Sequence, residues 1–148
     1  MTRRSMEMLL AAAVLVALPG CPRNTNPPPQ TTMSEIGTRT WSLVELNGRP
    51  AGTGAGGQPA TLQLAADQAS GFAGCNRFSS TYTLSGTALR FTGPVSTRMA
   101  CAAGMELEQA YLSVITATRA YRVTDSTLEL LGDGGTVLAR FTARSGGA

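Results

Sequence analysis

Two hydrophobic regimes divide the chain. Residues 8–18 form an almost unbroken apolar run, whereas from Thr40 onward apolar residues come in short alternating bursts separated by Gly, Asn and Asp. Alternation with period two is the mark of a strand with one buried face. Thr40 to Leu46 reads as a first strand, and Asn47-Gly48 after it is a strong hairpin signal. Leu62 and Leu64 alternate with Thr61 and Gln63, and residues 70–73 and 78–84 read as two strands around Gly74-Cys75-Asn76. Ser85-Gly86 turns the chain, after which Leu89 and Phe91 face one way. Residues 121–124 are strand-like, Leu128 and Leu130 alternate around Glu129, and Val137, Ala139 and Phe141 share one face beyond the Asp133-Gly134-Gly135 turn. Short strands at this spacing predict an antiparallel β-sheet or small barrel.

Residues 106–118 break the rhythm. Leu107, Tyr111, Val114, Ile115 and Thr118 recur at i, i+4, i+7, i+8 and i+11, the stripe of an amphipathic helix. Glu106 and Glu108 fall in its first turn, where the helix dipole favours negative charge. The β-branched run Val114-Ile115-Thr116 opposes a helix, but the stripe outweighs it. The fold class is therefore α+β, with one main helix packed on the sheet or plugging a barrel, and Tyr111 in the core. Residues 49–58 are Gly-rich but lack the Lys-Ser/Thr ending of a phosphate-binding loop, so a flexible loop is expected.

The first apolar run has a different purpose. It follows Arg3-Arg4, and its length of roughly 11 residues suits a signal segment and falls short of the ~20 needed to span a bilayer. It ends in Leu18-Pro19-Gly20-Cys21, which resembles the bacterial lipobox: an aliphatic residue, two small residues and a cysteine that takes a lipid on its sulfur. Pro19 departs from the usual small residue. The plain alternative is a secretory peptide cut nearby, with Cys21 an idle thiol. The lipobox reading makes residues 1–20 a lipoprotein signal peptide and Cys21 an acylated tether to a bacterial membrane on the exported side. Residues 21–38 carry Pro27-Pro28-Pro29 among Asn, Thr, Gln and Ser, and read as a linker too polar to offset its own ordering entropy. Residues 39–144 are the predicted domain, and 145–148 a tail.

Composition narrows the chemistry. Hydrophobic residues make up 43% of the chain and charged residues 14%, so the domain is globular and weakly charged. The net charge is +3, with no basic cluster, which speaks against a nucleic-acid partner. All twelve basic residues are arginine, which genome composition explains more simply than function does. Histidine is absent, which removes Ser-His-Asp and Cys-His nucleophilic systems and every histidine metal site. No metal and no cofactor is expected.

Cys75 and Cys101 lie within the predicted domain. In an exported protein such a pair is first a disulfide candidate, and the bridge would stabilise by about 3–4 kcal/mol in the chain-entropy model. A metal site would need more ligands, and a redox pair is usually Cys-X-X-Cys.

Three blocks resemble the META domain (HslJ-like) family: Trp41-Ser42-Leu43; Gly74-Cys75-Asn76-Arg77-Phe78 with Tyr82 downstream; and Thr97-Arg98-Met99-Ala100-Cys101. A Glu-containing helix with Tyr111-Leu112 follows, as in that family. The resemblance covers roughly residues 40–142 and departs at Ser80-Thr81, where the family usually has a glycine. It implies a small antiparallel, incompletely closed β-barrel with a helix against it. Members are often secreted or lipid-anchored, and some are linked to heat shock, drug tolerance or motility, with no established catalysis. It further implies structural roles for the motif residues: Asn76 bonding nearby backbone, Trp41 and Tyr82 filling core, Gly74 allowing a bend or close approach, with Thr97 and Met99 in the same class. A polar binding cluster of Asn76, Arg77 and Thr97 is the functional alternative.

Three functions stay open. One is a non-enzymatic envelope lipoprotein supporting surface integrity or stress tolerance through protein contacts. A second is a carrier of a lipid or other apolar ligand in the barrel. A third is a carboxylate-based hydrolase drawing on Glu45, Asp67, Glu106, Glu108, Asp125, Glu129 or Asp133, none of which sits in a recognisable pair. Oligomeric state and choice of membrane are not legible.

Overall fold

A ring of antiparallel strands with one helix packed against it makes up the computed structural model, which describes residues 36–144. The signal segment, Cys21, most of the linker and the tail lie outside the described residues. In chain order the strands are β1 (Thr40–Leu46), β2 (Arg49–Pro50), β3 (Thr61–Ala65), β4 (Gln68–Phe72), β5 (Arg77–Ser85) and β6 (Ala88–Ser96). Helix α1 (Met105–Ala117) follows, then β7 (Ala120–Thr124), β8 (Thr127–Leu131) and β9 (Val137–Ala143). The hydrogen-bonded order is β2-β1-β3-β4-β5-β6-β7-β8-β9, and β1 also pairs with β9, which closes the ring. Closure is thinnest between β6 and β7, where Ala88 opposite Ala120 is the sole register pair. Helix α1 packs along β6 before the chain enters β7.

The predicted alternation sets the register. Trp41, Leu43 and Leu46 on β1, Leu62 and Leu64 on β3, Phe78 and Tyr82 on β5, and Leu89 and Phe91 on β6 face a common core with Leu128, Leu130, Ala139 and Phe141. Asn47 and Gly48 both take positive φ (50° and 74°), as a tight two-residue hairpin requires. Tyr111 from α1 is fully buried, stacks edge-on to Phe78 and Phe141, and donates to the Thr61 carbonyl at 3.1 Å. Burial pushes its phenol well above the usual range.

The structure amends four details. The folded unit reaches back to Ile36, which is fully buried and accepts the Trp41 indole N–H at 3.1 Å, so the domain starts before residue 39. The Gly-rich loop holds β2 and a short 3-10 turn at Ala55–Gly57, and Ala55 N–H donates to the Gly74 carbonyl at 2.7 Å. At the Ser80-Thr81 departure, β6 carries a bulge against β5, with Gly93 and Pro94 opposite Ser80, and the buried Ser80 hydroxyl donates to the Thr92 carbonyl at 2.9 Å. The helix spans Met105–Ala117, and its buried side includes Glu108, which the predicted stripe left out. Among the described residues, no helix is long and apolar enough to cross a membrane.

Candidate functional site

The Gly-Cys-Asn block and the start of α1 meet in one buried polar cluster. Between β4 and β5 the chain turns at Ala73 to Asn76, with Ala73 N–H donating to the Asn76 carbonyl at 2.8 Å. Gly74 takes φ +132°, and Gly104, which opens α1, takes φ +92°. The two backbones press together: a Cβ on Gly104 would lie 2.2 Å from the Gly74 oxygen, so neither position admits a side chain without movement. This contact brings the N–H groups of residues 75 and 76 over the first turn of the helix.

Glu108 receives them. Its Oε2 accepts the Asn76 N–H at 2.6 Å and the Cys75 N–H at 3.3 Å. Its Oε1 accepts the Asn76 carboxamide Nδ2 at 3.1 Å and the Ser96 hydroxyl at 3.4 Å. Asn76 is 2% exposed, and its carboxamide is used in both directions. Its Oδ1 accepts the Met99 N–H at 2.7 Å and the Thr97 hydroxyl at 3.0 Å, while Nδ2 also donates to the Met99 carbonyl at 3.2 Å. Asn76 thus bonds the backbone of Met99 and also joins two side chains, Glu108 and Thr97. Among the described residues no buried side-chain nitrogen or oxygen is left without a partner.

A disulfide joins Cys75 and Cys101, with Cα atoms 5.8 Å apart. It ties the β4–β5 turn to the loop between β6 and α1, which Asn76 already grips at Met99. Gly74, Cys75, Asn76, Thr97, Met99 and Cys101 therefore come together. Trp41 and Tyr82 do not: Trp41 bonds Ile36, and the Tyr82 hydroxyl donates to the Ala66 carbonyl at 2.6 Å. Both are core residues.

The sequence-level polar cluster splits. Asn76 is buried and saturated, whereas Arg77 and Thr97 line an open groove of about 620 Å³ together with Ala55, Phe72, Met99 and the disulfide. Met99 departs from its expected structural role in one respect. Its backbone is pinned, but the residue is 61% exposed. A second cleft, of about 660 Å³, opens between the β1–β2 hairpin and α1, with Arg49 and Glu106 on its walls.

Glu108 is the residue that sequence reasoning undervalued. The signal was present: Glu108, Tyr111 and Ile115 stand at i, i+3 and i+7, which puts a carboxyl group on the buried stripe.

A family model, META domain, matches residues 34–145. The chain belongs to the META domain family. Its fold is similar to that of a protein from Burkholderia xenovorans solved by NMR, with 27% identity and a TM-score of 0.61 over 87% of this chain and all of that one. A second protein solved by NMR shares 24% identity at a TM-score of 0.59, covering 76% of this chain and 95% of that one. The crystal structure of a duf4847 family protein from Bacteroides vulgatus shares the fold at 11% identity and a TM-score of 0.54, covering 77% of this chain and 98% of that one. No curated protein matches the chain. Within this META domain, the Gly74–Phe78 and Thr97–Cys101 blocks, with the helix, build the Asn76–Glu108 cluster and its disulfide.

Three of the six remaining carboxyl side chains among the described residues pair with arginine elsewhere. Arg140 bridges Glu45, at 2.5 Å, and Glu129, at 3.0 Å, on the outer side of β1, β9 and β8. Arg122 on β7 also pairs with Glu129. Burial would raise the Glu129 carboxyl, but hydrogen bonds and charge from Arg122 and Arg140 outweigh it and hold the group below its usual range. Asp133 lies 3.6 Å from Arg119. Among the described residues, no group of three or more Cys, Asp and Glu is placed to hold a metal.

Proposed function

We propose that this META domain protein is a non-enzymatic lipoprotein of the bacterial cell envelope, tethered through Cys21 and supporting surface integrity or stress tolerance through protein contacts. The observation that carries the non-enzymatic reading is the saturation of Asn76 and Glu108. Their oxygens and amide hydrogens are committed to backbone and neighbouring side chains, so the family motif is invested in holding a loop. The support for the tether is Leu18-Pro19-Gly20-Cys21 behind a short apolar run. The filled interior of the ring, with Trp41, Tyr111, Phe141 and their neighbours at or near zero exposure, weighs against a lipid carried inside it.

A strain lacking the protein is expected to be sensitive to detergents or envelope-active antibiotics, with rescue by the wild-type gene and loss of rescue by Cys21→Ser. Radiolabelled palmitate should enter the wild-type protein and not the Cys21→Ser form. Normal growth of the deletion strain under all such stresses would count against the envelope role. Hydrolysis of cell-wall glycans by purified protein would overturn the non-enzymatic reading.

A further inference from the structure

The groove beside the disulfide is built in an unusual way for a passive surface. Met99 is the second most exposed large hydrophobic among the described residues, yet its N–H and C=O are both bonded to the buried Asn76 carboxamide. Two residues later the Cys75–Cys101 bridge clamps the same loop. The buried network thus spends its hydrogen bonds on fixing the backbone beneath a solvent-facing thioether. A contact surface that is ordered before binding loses less entropy when a partner arrives. Methionine is suited to such a surface because its unbranched, polarizable side chain adapts to varied apolar shapes.

The walls of the groove specify the partner's chemistry. Phe72, Ala55, Met99 and the disulfide provide apolar contact, with Arg77 beside them. The Arg77 guanidinium has no ion pair or hydrogen bond among the described residues, and neither has that of Arg98 next to Met99 in the chain. No carboxyl group lines the groove, and the Glu108 carboxyl nearby is engaged by neutral donors. A volume of about 620 Å³ is large enough for a specific ligand. The groove is open, however, and a small molecule in it would keep much of its surface in water. A chain segment can bind there because it gains further contact beyond the ends of the groove.

Resting on the protein-contact function proposed above, we propose that this groove docks an extended peptide segment of a partner protein in which an acidic residue sits next to a large apolar one. The apolar side chain packs on Met99, Phe72 and the disulfide, and the acidic group pairs with Arg77.

The test uses the full chain in detergent, with methyl NMR reporting on the methionines. The probes are eight-residue peptides carrying Glu-Leu or Asp-Phe at the centre, matched peptides with Lys for the acid, and phosphatidylglycerol vesicles. The acidic–apolar peptides are expected to shift the Met99 methyl signal. Lys-substituted peptides, Met99→Asp and Arg77→Glu should each weaken binding at least about tenfold. Both side chains are exposed, and an unchanged melting temperature will show that the variants fold. Absence of peptide binding, equal binding of the Lys peptides, or binding that both variants retain overturns the proposal. So does binding to the vesicles alone. The envelope role is read separately: a deletion strain fully rescued by Met99→Asp/Arg77→Glu keeps that role and rejects the groove, whereas a deletion without phenotype rejects the role and leaves peptide binding to judge the groove.

Discussion

Two polar clusters in this domain hold carboxyl groups by opposite means. Between α1 and the β4–β5 turn, Glu108 is buried and receives neutral donors: two backbone N–H groups, a carboxamide and a hydroxyl. Across the outer side of β1, β9, β8 and β7, Glu45 and Glu129 meet Arg140 and Arg122, whose side chains are 38% and 58% exposed. Neutral backbone donors are fixed in space and make a site only if two segments of chain are brought together. Arginine side chains are long, water-screened and replaceable by solvent. The first cluster therefore defines the shape of the loop that carries Met99, whereas the second only trims the surface of a sheet already specified by its register.

The largest effect that would break this comparison is expected at Glu108. Glu108→Leu leaves the Cys75 and Asn76 N–H groups and one amide hydrogen of Asn76 unpaired in a buried place, at a cost of about 3–5 kcal/mol. Glu108→Gln retains one oxygen but sets an NH₂ against N–H donors, and should cost less. Urea titration measures both; a loss under 1 kcal/mol for the Leu variant would mean that the cluster does not hold the fold.

The disulfide comes next. Replacing Cys75 and Cys101 together by Ala should lower stability by about 3–4 kcal/mol, since the bridge closes a loop between residues 26 apart. Because Asn76 grips the same loop at Met99, the double variant should retain native chemical shifts at the core tyrosines while signals from residues 97–104 broaden. Unbroadened loop signals would assign the ordering of the loop to Asn76 alone.

The smallest effect belongs to the arginine ladder. Glu129→Gln is expected to cost about 0.5–1 kcal/mol, because its partners are solvated. The same pair sets a pH signature. The Glu129 carboxyl lies below its ordinary 4.5 in the fold. Its contribution is complete above that value and is lost as pH falls through the lower folded one. Wild type and Glu129→Gln should therefore differ in stability at pH 7 and converge at the acid end, which denaturant midpoints from pH 7 down to 2.5 will show. A difference that persists at pH 2.5 would assign the effect to packing.

Much of the fold was legible because burial in a sheet imposes a period of two. Leu62 and Leu64, Leu89 and Phe91, and Leu128 and Leu130 all entered the core as their alternation required. Tyr111 was legible from the helical stripe. The beginning of the domain was less so, since Ile36 is a lone apolar residue in polar surroundings and only its contact with Trp41 shows that it belongs inside. The site was half legible. The family blocks named Gly74, Asn76, Thr97 and Met99, and the cysteine pair was a candidate bridge that the structure closes. Glu108 was passed over because an acid in the first turn of a helix already has a sufficient explanation in the helix dipole.

The sequence by itself determined the strand rhythm and the single amphipathic helix and marked two cysteines as a disulfide candidate, because each is a property of local period or of residue type. The tertiary structure alone decided that Gly74 and Gly104 would touch, that Glu108 would be spent on the backbone of residues 75 and 76, and that Met99 would be held facing water. Those outcomes join segments about thirty residues apart. They depend on where a closed ring of strands places its loops, and no local pattern encodes that.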